Sequence, residues 1–274
     1  MTVRSTDGVE LAVHDLGGEG PVLLVSHATG FHGRCYLPLA THLATRFHSV
    51  SFDYRGHGDT PAPEQPVDWE RYGDDAVAMA ASLGGPVVAF GHSMGGACLL
   101  MAAHRQPDLF RRLVLFEPIV FPTDGPRHEG GNPLAAGARR RRATFGSFDE
   151  AIANYASKPP LGWFTPEALD AYVRFGFAEG DDGQIHLKCR PETEAATFEM
   201  GGAHHTWDVL PSIGTPTLVV AGAVSALQPS AVAGGVAERL AKADSLELPQ
   251  FDHFAPMTHP REIADLIADF CTDT

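Results

Sequence analysis

Residues 91–95 read Gly-His-Ser-Met-Gly, a serine held between glycines, with an apolar run before it and an amphipathic stretch after it. Small flanking residues let a chain turn sharply from strand to helix. Such a turn lifts the Ser93 hydroxyl above a sheet and sets it at a helix N-terminus, whose free N–H groups favour developing negative charge. The matching chemistry is nucleophilic attack on a carbonyl. Serine at its ordinary pKa is a poor nucleophile, so it needs a base within hydrogen-bond reach and a third group that holds the base in the right tautomer. Fourteen histidines compete for the first role.

The elements that must position these groups are legible as periodicity. Asp7-Gly8 sits between two alternating stretches and predicts an N-terminal hairpin. Short apolar runs over 21–27, 48–53, 86–92, 112–117, 216–222 and 244–249 predict strands covered on both faces. Between most of them, as at 36–47, 74–84, 96–106 and 231–242, apolar residues recur at helical spacing. Strand–helix–strand repeated this often predicts an α/β fold, a parallel sheet between helices. The interval 119–207 is too long for a loop and is expected to be an inserted subdomain, leaving 1–118 and 208–274 as the core.

Composition narrows the partners. Lys+Arg 20 against Asp+Glu 34 gives a formal charge of −14, which repels phosphate backbones and anionic lipid. The expected partner is a small-molecule substrate, with no nucleic acid and no membrane, and the chain is expected to act as a monomer or homodimer. The one basic run, Arg139–Arg142, reads as a solvated helix face. Cys35, Cys98, Cys189 and Cys271 are scattered without metal-ligand spacing, so they read as free thiols; neither a metal nor a cofactor is expected. The N-terminus lacks a basic-then-apolar leader pattern and no run approaches about 18 apolar residues, which points to a cytoplasmic protein.

Beyond the serine turn, "SHATGF" (26–31), "FDYRGHGDT" (52–60) and "FDHFAPMTHP" (251–260) are similar to the H-G-x-P-G loop, the D-x-R-G-x-G turn and the G-H-F segment of the α/β-hydrolase superfamily. The resemblance covers nearly the whole core and implies a doubly wound, mostly parallel eight-stranded sheet with a helical cap. It places the base at His253, before the terminal helix, and the backbone oxyanion donors at Thr29 and Met94. His27 and His92 are expected to support their turns, His204 and His205 to lie at the surface or a pocket rim, and Asp53 and Arg55 to stabilise loops.

The acid departs from the common pattern. Relatives carry an aspartate after the strand that matches 216–222, whereas Gly222-Ala223-Val224-Ser225 offers none. Glu117 ends the preceding strand at the carboxyl edge, where parallel-sheet sites assemble, and the order Ser93, Glu117, His253 keeps nucleophile, acid and base in sequence. Some dehalogenases and lactone hydrolases of the superfamily take their acid from this strand end. Asp252 adjoins His253, so its side chain is expected to diverge from the ring. The expected function is a serine hydrolase acting on a small-to-medium apolar ester or lactone through an acyl-enzyme. Thioesterase, C–C hydrolase and non-catalytic ligand binding stay open, as does cofactor-free oxidation. Trp163, Phe164, Phe177 and Trp207 are candidate pocket residues, with packing inside the cap as their alternative.

Overall fold

The computed structural model describes residues 1–62, 64, 66–123, 131–224 and 229–271. In chain order the strands are β1 (Thr2–Arg4), β2 (Glu10–Gly17), β3 (Val22–Ser26), β4 (His48–Phe52), β5 (Val87–His92), β6 (Phe110–Phe116), β7 (Thr144–Phe145), β8 (Phe177–Glu179), β9 (Ile185–Leu187), β10 (Thr217–Ala221) and β11 (Ala243–Glu247). Eight of them form one sheet in the order β1-β2-β4-β3-β5-β6-β10-β11. The β1–β2 and β2–β4 pairs are antiparallel and the remaining pairs are parallel.

The central strand shows why the apolar runs are continuous. Every residue of β5 is buried, and neighbours alternate between the two faces. Val88 and Phe90 join a core packed under helices Leu37–Leu43 and Pro260–Cys271. Val87 and Ala89 join the opposite core, under helices Trp69–Ser82, Met94–Arg105 and Ser230–Arg239. Helix Trp69–Ser82 starts where the Asp68 carboxylate accepts the Glu70 N–H (2.9 Å), capping a donor that the first turn cannot satisfy internally.

The interval between β6 and β10 is not wholly helical. Helices Pro133–Arg139, Phe148–Ala156, Pro166–Gly176 and Pro191–Met200 are joined by a small antiparallel sheet, β7-β9-β8. These strands are only two or three residues long, below the length at which alternation registers in a sequence. Among the described residues no helix is long and apolar enough to cross a membrane.

Beneath the loops at the carboxyl edge lies a buried polar group. Asp53 accepts from the Gly33 N–H (2.7 Å), the Asp59 N–H (2.7 Å) and His14 Nε2 (2.8 Å). Burial opposes its ionisation, but the His14 bond and the nearby His32 and His27 rings outweigh it and hold the carboxyl well below the usual carboxylate range. Arg55, also buried, bridges Asp75 and Asp7. Both residues tie loops together, as expected from the sequence. His14, Asp53 and Asp59 are close enough to chelate a metal. Both Asp53 oxygens are already engaged by protein donors, so the cluster is satisfied as a loop anchor.

Burial also pushes the neighbouring His27 down to about 3, and His32 and His57 down to about 4. An unfolded chain would take up these protons near 6.5, so between 6.5 and about 4 the unfolded state binds more protons. Stability should therefore be full above about pH 6.5 and decline as pH falls towards 4. Thermal melts across this range check it; a melting temperature constant from pH 7 to 4.5 contradicts it.

Candidate active site

Ser93 sits between the end of β5 and the start of helix Met94–Arg105, at φ 58° and ψ −118°. A non-glycine residue there stores about 1–3 kcal/mol, so its surroundings must hold it. They do so from β6. The Ser93 N–H donates to the Phe116 carbonyl (2.9 Å), and the Ile119 N–H donates to the Ser93 carbonyl (3.2 Å). The flanking glycines are steric requirements: a Cβ at Gly91 would lie 2.7 Å from Gly96 Cα, and one at Gly95 would lie 2.2 Å from the Ser26 carbonyl oxygen.

Glu117 follows directly on β6, also at positive φ (46°), and is 1% exposed. Its N–H donates to the Val220 carbonyl (2.9 Å), which locks it to β10. One carboxylate oxygen accepts the Gly222 N–H (2.8 Å); the other accepts His253 Nδ1 (2.6 Å). The loop after β10, which lacks an aspartate over residues 222–224, thus contributes a backbone donor to the glutamate. Ser225 lies outside the described residues. The Asp252 carboxylate accepts the Phe254 N–H (2.9 Å) and makes no bond to the His253 ring among the described residues.

With Nδ1 committed to Glu117, Nε2 meets no protein partner among the described residues. The base loop is held by a chain of hydrogen bonds with only one consistent direction. A carbonyl can only accept, so His92 Nε2–H donates to the His253 carbonyl (2.8 Å), and His92 Nδ1 must accept from the Tyr36 hydroxyl (2.8 Å). The Tyr36 oxygen in turn accepts the Ala28 N–H (3.2 Å). Burial, with His253 nearby, keeps His92 well below the usual histidine range, so this chain stays neutral. One buried histidine thereby joins the serine turn, the base loop and the loop that carries Thr29. His27 is likewise committed, with Nδ1 on the Ala28 carbonyl and Nε2 accepting the Tyr54 N–H (2.9 Å).

Neither the Thr29 nor the Met94 N–H meets a protein acceptor among the described residues. Met94 opens the helix after Ser93, and Thr29 lies in a turn closed by the Phe31 N–H on the Ala28 carbonyl (3.1 Å).

Of the four aromatic pocket candidates, the fold brings one to this edge. Phe164 stacks on Phe31 (6.1 Å between centroids) and packs against Phe254 (5.8 Å), which touches the His253 ring (5.5 Å). Trp163, its neighbour, is 58% exposed. Phe177 packs on Phe145 and Tyr155 of the same interval, within the core that also takes Val88 and Phe90. Trp207, at the end of the interval, lies against Gly235 and Arg239 of helix Ser230–Arg239 in the core. His204 is buried, stacked on Trp69 (5.0 Å), contrary to the surface or rim position expected; His205 is exposed. Phe31 and Phe254 were overlooked, although each directly follows a motif residue, Gly30 or His253.

Comparison with known proteins agrees with this architecture. The chain is 25% identical to a 2-(acetamidomethylene)succinate hydrolase of Mesorhizobium japonicum, over 92% of this chain and 88% of that one. It is 26% identical to a pimeloyl-[acyl-carrier protein] methyl ester esterase of Chromobacterium violaceum, over 92% and 94%. Among solved structures, an enol-lactonase from Burkholderia xenovorans superimposes with a TM-score of 0.73 at 21% identity, covering all of both chains, which speaks to the fold. The relatives are hydrolases. The model of the alpha/beta hydrolase family matches residues 22–266, and with that match over most of its length the chain belongs to this family.

Proposed function

We propose that the protein is a serine hydrolase that cleaves a small-to-medium, largely apolar carboxylic ester or lactone through an acyl-enzyme. The observation that carries the reading is the Glu117–His253 hydrogen bond at 2.6 Å, which commits Nδ1 and leaves Nε2 as the one ring nitrogen able to take a proton. Ser93 Oγ attacks the substrate carbonyl while its proton passes to His253 Nε2. The Glu117 carboxylate stabilises the imidazolium, and the Thr29 and Met94 N–H groups receive the oxyanion. Collapse of the intermediate returns the proton to the leaving alkoxide. Water, activated by the same imidazole, then hydrolyses the acyl-enzyme. The 119–207 interval acts as the cap, and Phe164, Phe31 and Phe254 form an apolar wall beside the reacting carbonyl. Esterases and an enol-lactonase among the relatives and structural neighbours support the ester and lactone class.

A fluorophosphonate probe should label Ser93 covalently, and Ser93→Ala should lose both the label and hydrolysis of p-nitrophenyl butyrate with little change in melting temperature. An inert wild-type protein of intact fold would instead favour a ligand-binding role. Glu117→Gln keeps the size and removes the charge facing the imidazolium, so kcat should fall by roughly 10²- to 10⁴-fold with KM little changed. Wild-type kcat in that variant contradicts the assigned acid.

A further inference from the structure

The interval between β6 and β10 places a secluded ion pair beside the loop that carries Thr29, and acyl transfer as described makes no use of it. Arg141 Nη1 donates to Glu194 Oε2 (2.6 Å), and Nη2 donates to the hydroxyls of Tyr155 (3.3 Å) and Tyr172. Three of the five guanidinium donors are thereby used. Nε–H and the second Nη1–H meet no acceptor among the described residues. Glu194 Oε1 likewise has no protein donor there, yet it is not sealed from open space. The side chains keep 18% and 8% of their surfaces accessible. The basic run 139–142, expected as a solvated face, therefore turns one arginine inward.

Its location ties it to the reacting centre. A Cβ at Gly30 would lie 2.5 Å from Glu194 Oε1, so the carboxylate rests against the residue after Thr29. The Tyr172 ring, whose hydroxyl takes the Arg141 bond, packs edge-on against Phe31 (5.3 Å). Taking two charges out of water is expensive, and well-packed apolar side chains would fill the same space at least as stably. Unused donors and an unused acceptor within one ion pair are suited to a ligand.

We propose that Arg141 and Glu194 form a substrate subsite for a neutral group that both accepts and donates a hydrogen bond, a hydroxyl or carboxamide on the acyl or alcohol arm; the proposal rests on the serine-hydrolase reading of the neighbouring site. The pair has no net charge. A carboxylate drawn to Arg141 meets the Glu194 carboxylate already bonded to it, and an ammonium drawn to Glu194 meets the guanidinium. A hydroxyl accepts from Arg141 and donates to Oε1, satisfying both. A purely apolar arm would strip water from both groups and return nothing, which is the basis on which hydrogen-bonding sites reject analogues lacking the polar group.

The test uses the Ser93→Ala protein, expected to bind p-nitrophenyl esters without turning them over. Dissociation constants are measured calorimetrically for two series, acyl chains and alkoxy chains of four to eight carbons, each ending in methyl, hydroxyl, carboxamide or carboxylate. In at least one series the hydroxyl or carboxamide should bind about 10-fold or more tighter than both the methyl and the carboxylate of equal length. Adding Glu194→Gln leaves Arg141 without its anion and should shift the preference to carboxylate; adding Arg141→Met should abolish the hydroxyl advantage. Methyl or carboxylate binding tightest in both series overturns the subsite, and this readout needs no variant at the pair, so it stands even if those variants fail to fold. Turnover of plain butyrate ester by the wild type judges the serine chemistry separately, because the binding series does not depend on it.

Discussion

The site is organised around a carboxylate that water cannot reach. Glu117 is 1% exposed, and an isolated charge at such a place would be prohibitive. It is held by two donors from different parts of the chain, the Gly222 N–H after β10 and His253 Nδ1 before the terminal helix. Satisfying that group therefore requires β6, β10 and the base loop to converge at one edge. The parallel pairing of β6 with β10, in register from Leu113↔Thr217 to Phe116↔Val220, delivers them there.

The same edge holds two residues in unfavourable backbone conformations, Ser93 and Glu117, each on an end of one of the adjacent strands β5 and β6. Their strain is supported by backbone bonds that cross between these strand ends, to β10 and from the loop after β6 at Ile119. His92 then links the serine turn to the loops above it, through Tyr36 on one side and the His253 carbonyl on the other. Because every member of that chain is neutral and has one possible direction, it fixes the base loop without competing for the proton on His253.

Much of this was legible in the residues, and what was not has a common cause. The strand runs, the Ser93 turn and the position of His253 are local patterns, readable from a few consecutive residues. Glu117 was legible by elimination, as a charge closing an apolar strand next to a loop without the usual aspartate. The His92–Tyr36–Ala28 chain, the Phe31–Phe254–Phe164 wall and the Arg141–Glu194 pair each join segments far apart in sequence, and no local spacing encodes such meetings. Trp207 illustrates the converse: its type suggested a pocket, but helix Thr206–Val209 already packs on the core beside Arg239. The β7-β9-β8 sheet escaped notice because its strands are too short to show alternation.

The central claim is that Glu117 fixes the tautomer and direction of His253. It is tested most directly by nitrogen-15 and proton NMR of histidine-labelled protein at pH 8, with the His253 signals assigned by their loss in His253→Asn. The account predicts a neutral ring protonated at Nδ1, its proton shifted strongly downfield by the Glu117 carboxylate, and a bare Nε2. A ring protonated at Nε2, or an Nδ1 proton exchanging freely with water at an ordinary shift, would contradict it.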